Sequence, residues 1–235
     1  TSFSYDTIST SAISFGCNNG ASVISCSWGG GSGSAAITSA IIHFATTGRN
    51  GKGCVFVFSS GNNNMSSVEY PSNLDEVISV GAIDRCGARS GRIDIVPESC
   101  DPWDATWKPG SSYGEKLSVV APDTNVYTTT INSNYTYFGG TSAACPHVAG
   151  VAALMLSVNP NLTAQEVRTI IEKTAQKVRP EFYHYTDTVG HPNGTWNKYT
   201  GYGLVDAYAA VKKAKEIDLY IRDSVSDNGT VPSNV

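Results

Sequence analysis

Four short, nearly continuous apolar runs constrain this chain more than any other feature: SVISCS (22–27), CVFVFSS (54–60), EVISVGAI (76–83) and KLSVVAP (116–122). A strand with one face in water alternates apolar and polar residues. Runs that do not alternate belong to strands covered on both faces, the usual condition of a parallel sheet. Parallel neighbours need a long crossover. Between the first two runs lies SAAITSAIIHFATTG (34–48), a helix that Ser34 can cap and Gly48 can end, which makes a βαβ unit. Further on, NLTAQEVRTIIEKTAQKV carries Thr163 and Glu166 at capping-box spacing, with Leu162 and Val167 placed as a hydrophobic staple. Val167, Ile170, Ile171 and Val178 then share one apolar face. VYTTTINSNYTYF reads as a β-hairpin turning near Asn132 to Asn134, and it delivers the chain to GGTSAACPHVAG (139–150). The expected fold class is therefore α/β, a doubly wound, mainly parallel sheet with helices on both faces.

A chain of 235 residues, 40% hydrophobic and 15% charged, suits one globular domain with a sizeable core. Sixteen basic and twenty acidic residues give a net charge of −4 without long like-charge runs, which removes the electrostatic footprint for nucleic acid or an anionic membrane surface. No apolar run approaches the roughly 18 residues of a spanning helix, so no membrane span is expected. TSFSYDTIST lacks the features of a signal peptide, and any export signal is expected upstream of it. The six cysteines contain no CxxC pair and show no zinc-like spacing, so no metal is expected. Cys17, Cys26, Cys54 and Cys145 sit in apolar or small-residue surroundings and read as buried free thiols. Cys86 and Cys100 bracket a polar insert, where a bridge would indicate an oxidising compartment.

Ser142 stands where a Gly-rich passage gives way to an apolar helix. Two readings follow from that position: a helix cap, or a nucleophile whose oxyanion would meet the unpaired N–H groups of the helix N-terminus. Pro146 comes early enough for its missing N–H to cost little. The G-x-S-x-G elbow of the α/β-hydrolases fails, because Ala144 occupies the second glycine position. An esterase or lipase is thereby disfavoured.

GTSAACPHVAGVAALMLSVNPNLT closely resembles the nucleophile segment of the subtilisin-like serine proteases, G-T-S-x-[AS]-x-P-H-V-[AS]-G. Two more segments resemble that family in the right order: VISCSWGGGSGSAA is similar to its substrate-binding strand, and VFVFSSGNNN to the segment carrying its oxyanion asparagine. YPSNLDEVISVGAID and GYGLVDAYAAV also find counterparts, so the resemblance covers roughly Phe15 to Val211. It implies a serine endopeptidase acting on polypeptides, secreted or otherwise extracytoplasmic. Ser142 would be the nucleophile, and the Asn62 amide with the Ser142 N–H would form the oxyanion hole. Ser27, Trp28 and Gly29 would form the edge on which substrate adds as a strand. Glu69, just before Tyr70 and Pro71, would line the bottom of the pocket on the acyl side of the scissile bond, where a carboxylate attracts Lys or Arg.

The chain also departs from the family. The aspartate segment D-[ST]-G and the histidine segment H-G-T are not in it. Of the four histidines, His43 lies on the helix after the binding strand, His147 belongs to the P-H-V pattern, and His184 and His191 fall in a polar insert. None is a base by motif. The expectation is that residues 1–217 form the C-terminal portion of a peptidase domain whose N-terminal part, on the order of 100 residues, supplies the missing acid and base. Such a piece is expected to be inactive alone. Residues 218–235 would be a polar tail or a linker to a further domain. The alternative is a non-catalytic peptide-binding module. No cofactor is assigned, with calcium left open for the full-length protein.

Overall fold

The four apolar runs form one parallel sheet. In the computed structural model, which describes residues 2–91 and 110–227, the elements are α1 (Ser2–Asn18), β1 (Val23–Cys26), α2 (Ala35–Gly51), β2 (Val55–Ser59), β3 (Val77–Ile83), β4 (Val119–Pro122), β5 (Val126–Thr130), β6 (Asn134–Phe138), α3 (Thr141–Val158), α4 (Ala164–Thr174), the single turn α5 (Pro180–Tyr183) and α6 (Ala207–Asp227). The sheet order is β1-β2-β3-β4, with every neighbour parallel. Strand pleating sends alternate residues to opposite faces. Phe56 and Phe58 of β2 pack with Ile13 of α1 and with Ile37, Ile41 and Phe44 of α2. Val55 and Val57 face the other way, into Ala144, Val148, Ala152 and Met155 of α3 and Val167 and Ile171 of α4. Helices thus cover both faces, as non-alternating strands require.

The local signals act as their chemistry predicts. Ser34 caps α2, its hydroxyl accepting the Ile37 N–H at 3.5 Å. Gly48 leaves helical geometry at φ −58° and ψ 163°, and a Cβ there would lie 2.5 Å from the Cys54 Sγ, so the close approach itself demands glycine. Thr163 and Glu166 complete the capping box of α4, and Leu162 and Val167 are both buried in the same core. That helix stops at Thr174, short of Val178. Beyond it, Gln176 exchanges backbone hydrogen bonds with Leu204 in both directions, so the chain is extended there, and Val178 packs beside Ile83 and Leu117 instead.

Three further expectations meet the structure here. Helix α3, at 18 residues, is long and apolar enough to cross a membrane by length and composition, contrary to the reading that no such run exists. It lies against the central sheet, and its buried residues from Ala144 to Leu156 belong to the main core. Cys17, Cys26, Cys54 and Cys145 are free and buried, and Cys86 is disulfide-bonded. Cys100 lies outside the described residues. Helix α6 runs through the expected boundary at 217 to Asp227, and residues 228–235 lie outside the described residues.

The two sheet edges differ. The outer side of β4 is sealed by the segment after α5: Val120 N–H donates to the Gly203 carbonyl at 2.9 Å, and Val205 N–H donates to the Val120 carbonyl at 3.0 Å. The outer side of β1 has no strand partner among the described residues.

Candidate active site

Three chain segments converge at the carboxyl end of the parallel strands, where α/β sheets place their sites. Ser27, Trp28 and Gly29 continue β1, Gly61 and Asn62 follow β2, and the N-terminus of α3 arrives from the β5–β6 hairpin. Gly140, at φ 82° and ψ 177°, is the N-cap of α3 and makes no side-chain cap. Ser142 therefore lies two residues inside the helix and is not its cap.

Asn62 is gripped from one side. Its Oδ1 accepts the Thr141 N–H at 3.0 Å and the Thr141 hydroxyl at 2.9 Å. A backbone N–H can only donate, so the atom facing it must be the oxygen and the orientation of the amide is fixed. The Asn62 Nδ2 then has no hydrogen-bond partner among the described residues, and neither has the Ser142 N–H. Two donors beside one hydroxyl, at the positive end of an 18-residue helix, suit an oxyanion.

Ser142 and Ser27 hold each other reciprocally. The Ser27 hydroxyl donates to the Ser142 carbonyl at 2.8 Å, and the Ser142 hydroxyl donates to the Ser27 carbonyl at 3.3 Å. Trp28, half-buried, stands edge-on to Phe58 at 5.1 Å between ring centroids and to Tyr5 at 5.9 Å. The following loop is tied to Tyr70: Gly30 N–H donates to the Tyr70 carbonyl at 2.7 Å, and a Cβ on Gly29 would lie 2.8 Å from that oxygen. The Tyr70–Pro71 peptide is cis. The Glu69 carboxylate lies between the two segments. A Cβ on Gly61 would come within 2.2 Å of its Oε1, and one on Gly30 within 3.2 Å of its Oε2, while Asn63 Nδ2 donates to Oε1 at 2.7 Å.

Three of the four histidines are engaged elsewhere, and His184 closes the single turn α5 with its backbone. His43 Nε2 meets the Thr47 hydroxyl at 3.2 Å on α2, and His147 Nδ1 donates to the Ala143 carbonyl at 2.8 Å within α3. His191 stacks on Trp196 with centroids 3.8 Å apart and lines a polar cavity of about 280 Å³ with Glu172, Arg168 and Asp75, none of them among the site residues. No hydrogen bond joins a histidine to Ser142 among the described residues. A thiol nucleophile is also disfavoured: burial pushes Cys26 up to about 12 and raises Cys145 as well.

Sequence reasoning missed two contributors. Thr141 was visible only as part of a motif, and its grip on Asn62 joins positions 79 apart. Asp123, at the end of β4, is 1% exposed. It accepts the Ser90 hydroxyl at 2.6 Å, the Thr124 hydroxyl at 2.8 Å and the Gly140 N–H. Burial pushes its carboxyl up to about 6 against those hydrogen bonds, and nearby Asp84 adds to the rise.

The model of the subtilase family matches residues 1–203. Subtilisin DY of Bacillus licheniformis is 36% identical over 178 residues, covering 74% of this chain and 57% of its own length. A calcium-dependent protease of Trichormus variabilis is 34% identical over 220 residues, covering 83% of this chain but only 32% of its own. The chain thus spans 32% to 57% of the length of these relatives. Among solved structures, the prenylagaramide maturation protease PagA superposes with a TM-score of 0.64 at 22% identity, over 86% of this chain and 66% of its own, a likeness of fold. The chain belongs to the subtilase family, and its fold is that of a subtilisin-like serine protease domain.

Proposed function

We propose that this chain is the nucleophile-bearing part of a serine endopeptidase that cleaves polypeptides through an acyl-enzyme on Ser142. The observation that carries the reading is the grip of Thr141 on Asn62, which leaves the Asn62 Nδ2 and the Ser142 N–H as two unpartnered donors at the start of α3. In this reading the Ser142 Oγ attacks the scissile carbonyl, the two donors stabilise the oxyanion, and the substrate lies as a strand along Ser27, Trp28 and Gly29. Glu69, held between Gly30 and Gly61, faces the side chain on the acyl side and favours Lys or Arg there.

The proton of Ser142 has no acceptor among the four histidines. The general base and its aspartate come from residues outside these 235, so the chain alone is inactive. The protein works outside the cytoplasm, in keeping with the disulfide at Cys86. One relative carries calcium dependence in its name. Among the described residues no three His, Cys, Asp or Glu side chains converge, and no step is assigned to calcium.

A fluorophosphonate probe tests the proposal, because it labels only an activated serine. The full-length protein is expected to be labelled, its Ser142→Ala variant and residues 1–235 alone are not. Absence of labelling in the full-length protein would support the peptide-binding module, a reading favoured because no histidine bonds Ser142 among the described residues.

A further inference from the structure

Pro146 lies six residues beyond the N-cap of α3, inside the helix rather than in its first turn. Its missing N–H is therefore a real loss, because an N–H at 146 would bond the carbonyl of residue 142, four positions earlier. That carbonyl belongs to Ser142, and the donor that reaches it is the Ser27 hydroxyl, at 2.8 Å. We infer that Ser27 is a positioning residue whose side chain takes the place of the helix hydrogen bond that Pro146 removes, and so holds the Ser142 backbone in register with the end of β1. The inference rests on Ser142 being the nucleophile, as proposed above.

The asymmetry of the reciprocal pair suits this task. The bond to the Ser142 backbone is short, whereas the bond from the Ser142 hydroxyl to the Ser27 carbonyl is long at 3.3 Å. The backbone is fixed while the reactive oxygen is lightly held and free to leave. Because the Ser142 carbonyl and the Ala143 N–H share one rigid peptide plane, anchoring that oxygen sets the tilt of the first turn that carries the hydroxyl. The proline thereby makes the nucleophile depend on the segment along which substrate is proposed to lie. A bond completed inside the helix would leave the two segments without that tie.

The test is a double-mutant cycle in the full-length protease. Ser27→Ala is expected to lower kcat about tenfold, the upper range for the loss of one neutral hydrogen bond, with KM changed less than about twofold. Pro146→Ala restores an N–H for the Ser142 carbonyl. In that background Ser27→Ala is expected to cost no more than about twofold. Ser27→Thr, which keeps a hydroxyl, retains activity in the proline background. An undiminished tenfold loss in the Pro146→Ala background, or a change confined to KM, would overturn the inference by showing that the hydroxyl acts on substrate. Urea denaturation of the same four proteins provides a readout independent of catalysis: the midpoint loss caused by Ser27→Ala shrinks when Pro146 is replaced, and equal losses in both backgrounds refute the coupling. Ser142→Ala in the activity assay separates the two claims, since persistent cleavage by that variant refutes the nucleophile and leaves the denaturation cycle to decide the hydrogen bond.

Discussion

Thr141 carries two of the hydrogen bonds that orient Asn62, one from its backbone and one from its hydroxyl. Thr141→Val removes only the second, so in the full-length enzyme kcat/KM is expected to fall roughly three- to tenfold, the range of one neutral hydrogen bond. Asn62→Ala removes the donor itself and must cost more, and steady-state kinetics that reverse this order would remove Asn62 from the oxyanion role. Glu69→Gln removes a charge and keeps the shape. The ratio of kcat/KM for matched Arg and Leu substrates is expected to drop in that variant, and an unchanged ratio would mean that Glu69 does not read the substrate. Asp123 makes a different prediction. Its folded-state pKa of about 6 stands above the ordinary 3.8, so the neutral form is favoured in the fold. Its contribution to stability is complete below pH 4 and disappears as pH rises through 6, an effect of up to about 3 kcal/mol. Urea unfolding of residues 1–235 at pH 4 and pH 7 should show wild type losing that stability relative to Asp123→Asn, and a pH-independent difference would refute it. That the Ser142, Asn62 and Ser27 segments belong to one candidate site was legible because their motifs are local, and the structure brings the three together. The Asp123 network was not, because nothing local links a residue at the end of β4 to the backbone of Gly140.

At the scale of elements, what was legible followed from burial on both faces. β2 and β3 are buried at every position, which is why their sequences do not alternate. The hairpin turned where expected, with Asn132 and Ser133 both at positive φ. The end of α4 was misplaced because its pairing with Leu204 is a tertiary event, and periodicity alone let the apolar face run on to Val178. The start of the same helix was written locally in Thr163. Thr163→Ala removes the hydroxyl that accepts the Glu166 N–H at 3.1 Å, and chemical denaturation should show a loss of about 1 kcal/mol. A loss below a few tenths would mean that water caps the helix equally well.

Across the whole molecule, one sheet edge is sealed by the chain itself and the other is open among the described residues. An open edge with Val23 and Ile24 only half-buried invites another strand. Residues 1–235 alone are expected to self-associate in a concentration-dependent way, and a monodisperse monomer in sedimentation would count against this. How β4 is sealed could not be read from the local sequence, because its partner Leu204 lies some 80 residues further along the chain. A last consequence concerns time rather than shape. Every residue of β6 is exposed, whereas ten residues of α3 are buried, and only Gly139 and Gly140 separate the two elements. Amide hydrogen exchange should therefore change sharply over that pair, fast in the hairpin by local opening and slow along the interior of α3, where exchange waits for global unfolding. Ser142 lies just past this boundary: its own N–H, without a partner, exchanges fast, while the buried helix behind it stays closed, so the hairpin flank can breathe without Ser142 losing its place.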